Sequence, residues 1–162
     1  MELPLIPKKR QERVTEKGHF RAVLDTNIII AALKSKNPNS PNLELLKRFQ
    51  LGEFELLYSD DLLLEYQEKF NTRKINPELA LRFLTGLVVS GEYIDVAPEQ
   101  VGPVVKADPD DDLVVACAVV GNATHLVTYD PHLLNLGTSI EGIEILNGLH
   151  FLYAVRGDEK PD

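Results

Sequence analysis

Acidic side chains gather at a few defined places in this 162-residue chain. Asp25 closes the apolar run Ala22-Val-Leu. Glu65 lies in a helical pattern that follows the apolar run Phe54–Tyr58. Asp108, Asp110, Asp111 and Asp112 fill four of the five positions from 108 to 112, and Asp130 follows His125–Thr128. Carboxylates that converge repel one another, and the arrangement is costly unless a cation joins them. All-oxygen ligands suit Mg²⁺ or Mn²⁺, which usually keep waters and bind substrate phosphate oxygens. A cation held this way activates water, and a pair steadies the attacking and leaving oxygens of an in-line displacement. The chemistry this predicts is phosphodiester hydrolysis.

Each acid also has a simpler reading. Asp108-Pro109 and Asp130-Pro131 are ordinary helix starts, and acidic residues in a first turn answer the helix dipole. Glu65 lies about 60° around its helix from Leu62, on the flank of the apolar face, where a solvated glutamate is unremarkable. Capping, however, uses one or two carboxylates per helix. It does not account for four in the five residues Asp108–Asp112.

The elements that must position these groups follow from local pattern. Ala22–Asp25 reads as a strand, and Asn27–Lys34 as a buried helix. Ser40-Pro41 starts another helix, with Leu43, Leu46 and Phe49 at helical spacing. Phe54–Tyr58 is a strand, and Ser59 caps a helix over Asp60–Phe70. Asn76-Pro77 opens a helix to about Val89, and Tyr93–Val96 is a strand. Asp108-Pro109 opens a helix through Val120. His125–Thr128 is a strand, Asp130-Pro131 opens a short helical turn, and Ile143–Leu146 is the last strand. Strands alternating with helices predict a parallel sheet covered on both faces. Ligands of such sheets bind beyond the carboxyl ends of the strands, where the acids fall.

The length favours one domain over residues 21–155, with an N-terminal extension at 1–20 expected to be flexible and a tail over Arg156–Asp162. One cysteine, Cys117, excludes an internal disulfide and a multi-cysteine zinc site, and its helix context makes it a core residue. The four histidines show no paired metal spacing. No apolar run is long enough to cross a bilayer, and the first residues lack a signal-peptide pattern, so the expected compartment is the cytoplasm. The net charge is −8. That argues against a protein gripping nucleic acid by bulk electrostatics, though not against an enzyme meeting it through bound cations.

The carrying segments are Val23-Leu-Asp-Thr-Asn-Ile-Ile-Ile-Ala31, Tyr58-Ser-Asp-Asp-Leu-Leu-Leu-Glu-Tyr66, Asp108-Pro-Asp-Asp-Asp-Leu-Val-Val-Ala-Cys-Ala118 and His125-Leu-Val-Thr-Tyr-Asp-Pro-His-Leu-Leu134. In this order and spacing, the chain resembles the PIN domain family across about residues 20–155. It is most similar to small prokaryotic PIN proteins regarded as toxin components of toxin–antitoxin pairs.

The resemblance implies a three-layer α/β/α fold and an endoribonuclease that needs Mg²⁺ or Mn²⁺. Its metal-binding and catalytic acids would be Asp25, Glu65, Asp111 and Asp130. Asp111 is aligned by its position relative to Ala116 and Ala118, with Asp110 and Asp112 as its competitors. Asn27 and Thr128 would orient carboxylates or water, and Asp108 and Asp112 would support the site. The expected substrate is RNA, cut to leave 5′-phosphate and 3′-hydroxyl ends. Lys34, Lys36, Arg73 and Lys74 are candidates for backbone contacts. An antitoxin is an expected partner, a membrane is not, and related domains commonly form homodimers. Tyr129 departs from the family, which often has glycine between the threonine and the last aspartate. A side chain there would narrow access or stack on a base.

Two other readings compete. One is a non-catalytic interaction module in which the acids are only caps. The other is an aspartate-nucleophile phosphatase using Asp25, but that chemistry needs a second acid two residues on, where this chain has Asn27.

Overall fold

The computed structural model describes residues 19–102 and 109–158. Five parallel strands form the sheet: β1 (Arg21–Leu24), β2 (Glu55–Tyr58), β3 (Glu92–Tyr93), β4 (His125–Val127) and β5 (Glu144–Leu146). Their spatial order is β3-β2-β1-β4-β5. The chain therefore builds outward from β1 to one edge, returns, and builds from β4 to the other. The connections leaving β1 and β4 run to opposite edges of the sheet, and at such a switch point an open α/β sheet forms a crevice.

Seven helices connect the strands among the described residues: α1 (Thr26–Lys34), α2 (Pro41–Gln50), α3 (Asp60–Thr72), α4 (Pro77–Ser90), α5 (Pro109–Val120), α6 (Pro131–Leu134) and α7 (Gly148–Arg156). Contacts group α2 with α1 and α7, and α3 with α4 and α5, on the sheet of a three-layer α/β/α fold. Side-chain caps set most helix starts. Ser40 accepts from the Leu43 N–H, Ser59 from Leu62, and Asn76 from Glu78. Strands β1, β2 and β4 are almost wholly buried, as expected where helices cover both faces. Cys117 is buried, and Tyr58, Tyr66, Phe70 and Phe83 all belong to the core.

Three elements differ from the sequence pattern. Strand β3 is shorter and earlier than the expected Tyr93–Val96. Its partner β2 gives way to α3 at Ser59, so pairing ends once the Ile94 N–H has bonded the Tyr58 carbonyl at 2.7 Å. His19 and Phe20, placed by the sequence in the expected extension, both make contacts with the domain. His19 lies 3.5 Å from Glu55, and the Phe20 ring packs edge-on against His125 at 4.7 Å.

The third is α7, which the apolar pattern did not reveal. Asn147 caps it through the His150 N–H at 2.9 Å, Phe151 and Leu152 bury its inner face, and left-handed Gly157 (φ 78°) ends it. Arg156, expected in the tail, is its last residue. Its guanidinium donates to Glu44 at 2.9 and 2.6 Å, tying α7 to α2.

Candidate active site

A cleft of about 390 Å³ opens at the carboxyl edge of the sheet. Asp25, Glu65, Asp110, Asp111 and Asp130 line it, with Thr26, Asn27, Lys69 and Arg73. Three separate chain segments and one helix interior thus deliver carboxylates to a single place.

Asp25 stands where β1 becomes α1, and it is 7% exposed. Its Oδ1 accepts the Thr26 N–H at 2.8 Å, so it caps α1. Its Oδ2 accepts from Asn27 Nδ2 at 3.2 Å and from the Thr128 hydroxyl at 2.7 Å. The Thr128 hydroxyl in turn accepts the Asp130 N–H at 3.0 Å, and Asn27 Oδ1 accepts the Tyr129 N–H at 3.2 Å. The end of β4 is therefore laced to the start of α1, and Asp25 and Asp130 are fixed together. Thr128 is completely buried, so these bonds form out of water.

Glu65 is brought in by α3. The next residue, Tyr66, is fully buried, and its hydroxyl donates to the carbonyl of Leu24. Burial pushes the Tyr66 pKa well up, so the hydroxyl stays a donor. The bond pins α3 to the last residue of β1 and sets Glu65 beside Asp25. Thr26 completes the link, donating its hydroxyl to Glu65 Oε2 at 2.6 Å.

Glu65 is buried, and desolvation is the main reason its pKa is pushed up to about 7. The Thr26 hydrogen bond opposes that shift. The charge of Asp110, a hydrogen bond shared with it, and the charge of Asp25 add to it. Near neutral pH this side chain is balanced between neutral acid and carboxylate. A divalent cation would tip it to the carboxylate.

Asp111 is 4% exposed on the first turn of α5, and Asp110 is exposed beside it. Both line the cleft, whereas Asp112 is not among the lining residues. Asp108 lies outside the described residues. Asp130 keeps two roles: it lines the cleft and caps α6 through the His132 N–H at 2.9 Å. Exposed His132 places Nδ1 3.3 Å from the same carboxylate.

Two polar members of the cleft, Thr26 and Lys69, were not among the expected site residues. Nothing local marks the bond of Thr26 to a glutamate 39 positions away. Lys69 had a signal: Glu65, Lys69 and Arg73 recur at intervals of four, so they share one side of α3. Arg73 lines the cleft as well, while Lys34, Lys36 and Lys74 are not among its lining residues.

The donors are carboxylate and hydroxyl oxygens, with no histidine or cysteine in the lining. That set fits a hard cation such as Mg²⁺ or Mn²⁺ and fits zinc poorly. Among the described residues, no three acidic, histidine or cysteine side chains are spaced closely enough to hold one ion by direct bonds alone.

A parallel α/β domain with carboxylates at its switch point defines a class, and comparison identifies the family. The family model of the PIN domain matches residues 21–132. The chain belongs to the PIN domain family. Among solved structures it is similar to PAE2754 from Pyrobaculum aerophilum, at a TM-score of 0.57 and 16% identity, covering 86% of this chain and 91% of that one. It is also similar to VapBC2 from Rickettsia felis bound to a DNA fragment from their promoter. That match has a TM-score of 0.51 and 25% identity over 79% of this chain and 98% of the other. No curated protein sequence matches the chain.

Proposed function

We propose that this chain is a Mg²⁺- or Mn²⁺-dependent endoribonuclease and the toxin component of a toxin–antitoxin pair. The observation that carries the reading is Glu65: a mid-helix glutamate, buried against other carboxylates and held up to about 7. A reading of the acids as caps accounts for Asp25 and Asp130, which do cap α1 and α6. It gives Glu65 no role and leaves the cost of its position without return. The similarity to VapBC2 supports an antitoxin partner.

Asp25, Glu65, Asp111 and Asp130 would hold the cation, in part through water. When bound, it supplies Lewis-acid activation of water and neutralises charge developing on the phosphate. The chain's own residues do the rest. Thr128 and Asn27 hold Asp25 in one orientation. Thr26 holds Glu65 by a hydroxyl hydrogen bond, in the place where its carboxylate form would serve a cation. Lys69 and Arg73, on the α3 side of the cleft, attract the substrate's backbone phosphates. The folded unit, expected over 21–155, would also include His19, Phe20 and Arg156; it would work in the cytoplasm, and the products would carry 5′-phosphate and 3′-hydroxyl ends.

The test is cleavage of a mixed RNA pool with Mn²⁺, with a chelator, and with Asp25→Asn. Cleavage is expected only by the wild type with metal. Turnover that survives full chelation, or equal turnover by Asp25→Asn, contradicts the reading.

A further inference from the structure

Tyr129 stands beside the cleft, and the reaction just described gives it no part. Its neighbours in space and sequence, Asn27 and Asp130, both line the cleft. Its backbone and the far end of its side chain are both anchored. The backbone N–H donates to Asn27 Oδ1 at 3.2 Å, and the hydroxyl donates to Asn42 Oδ1 at 3.0 Å.

Asn42 is buried near the start of α2, so the anchor itself is rigid. Gly148 leaves room for that anchor. A Cβ there would lie 2.0 Å from Asn42 Oδ1 and 3.1 Å from the Tyr129 hydroxyl. The residue as a whole nevertheless stays 41% exposed. The chain holds an aromatic side chain still, next to the acids, without burying it.

An exposed ring locked in one pose has already lost its rotamer freedom, which lowers the cost of binding against it. Flat apolar surfaces of this kind stack with unpaired nucleobases, and they do so with little sequence preference. Lys69 and Arg73 line the cleft with charge for phosphates, and Tyr129, just outside the lining and next to Asn27 and Asp130, offers a face for a base.

We propose that Tyr129 is a stacking platform for an unpaired nucleobase adjacent to the phosphate held at the carboxylates, making the substrate single-stranded at that position. The proposal rests on the nuclease reading for its substrate. Its binding step can be measured without turnover.

The chain has no tryptophan, so Tyr129→Trp places a single fluorophore at the site. A single-stranded oligonucleotide in Mg²⁺ is expected to quench that emission, and the same strand made abasic at the contacted position is expected not to. In kinetics, Tyr129→Ala is expected to raise KM on the order of tenfold with kcat within about twofold. Abasic substitution should cost the wild type a similar factor and cost Tyr129→Ala nothing.

Tyr129→Phe keeps the ring and releases only its anchor, so it should retain most of the discrimination even if the alanine variant folds poorly. Equal abasic penalties in wild type and Tyr129→Ala would overturn the proposal, as would discrimination lost equally in Tyr129→Phe and Tyr129→Ala. Should no RNA be cut at all, the nuclease reading fails and the fluorescence decides the platform alone. Base-dependent quenching upholds it, and quenching indifferent to the base, or none, overturns it.

Discussion

Glu44 and Glu65 are the same residue type in opposite surroundings. Glu44, on the first turn of α2, lies between two arginines, accepting from Arg156 at 2.6 and 2.9 Å and from Arg48 Nε at 2.8 Å. Hydrogen bonds from Arg156 and then Arg48 hold its pKa below the usual carboxylate range. Glu65 lies among carboxylates, and desolvation pushes it up to about 7. The first charge is satisfied within the chain and joins two helices. On the function proposed above, the second awaits a cation that the chain itself does not supply. The fold thus separates acids that stabilise it from acids that strain it.

Substitutions should separate the two most sharply in activity. Asp25→Asn and Glu65→Gln are expected to lower metal-dependent RNA cleavage on the order of a hundredfold or more. Melting temperature in chelator should fall little, and for Glu65→Gln at pH 8 it should rise. Single-turnover assays beside thermal melts check this. A large loss of stability matching the loss of activity would put Glu65 in the same category as Glu44.

The cations flanking Glu65 come next. Lys69→Ala and Arg73→Ala should each weaken substrate binding roughly tenfold and reduce the salt dependence of binding by about one counterion. Binding isotherms at several salt concentrations read both effects.

Glu44→Ala should do the reverse of Glu65→Gln. It removes the link between α2 and α7 and should lower the urea midpoint only slightly, because water and salt screen a pair at the surface. Activity per folded molecule should be unchanged. Urea unfolding and initial rates test the two halves.

The response to pH in chelator separates the two glutamates by another route. Glu65 holds a proton in the native state between its ordinary 4.5 and about 7, whereas the unfolded chain has released it. The native state binds more protons there, so stability should fall as pH rises through that window. Glu44, held low, contributes fully above the ordinary value and loses its contribution as pH falls through its native pKa. Unfolding at pH 5 and pH 8 should show the wild type less stable at pH 8 and Glu65→Gln nearly indifferent. A wild type equally stable at both would contradict the account of Glu65.

The strand–helix alternation was readable because punctuation was strong: Ser40-Pro41, Ser59, Asn76-Pro77 and Asp130-Pro131 all mark helix starts that the structure contains. Helix α7 was harder. Its cap Asn147 and its terminal Gly157 are legible signals, but Leu149, Phe151, Leu152, Tyr153 and Val155 crowd the helix with apolar residues and blur the period. The acids at strand ends could be read one by one. Their mutual spacing could not, because it depends on long-range bonds such as Tyr66 to Leu24 and Thr26 to Glu65. The choice among Asp110, Asp111 and Asp112 turns on helix phase, and both Asp110 and Asp111 reach the cleft. The Tyr129–Asn42 contact joins residues 87 positions apart, so no local pattern announces it.

The most direct measurement is calorimetric titration of the metal-free protein with Mn²⁺ near pH 6.5, in two buffers of different ionisation enthalpy, for wild type, Glu65→Gln and Glu44→Ala. Wild type and Glu44→Ala should bind Mn²⁺ with release of a fraction of a proton, while Glu65→Gln should bind at least about tenfold more weakly and release none. Binding of equal strength and equal proton release in all three would contradict the claim that Glu65 is held for a cation.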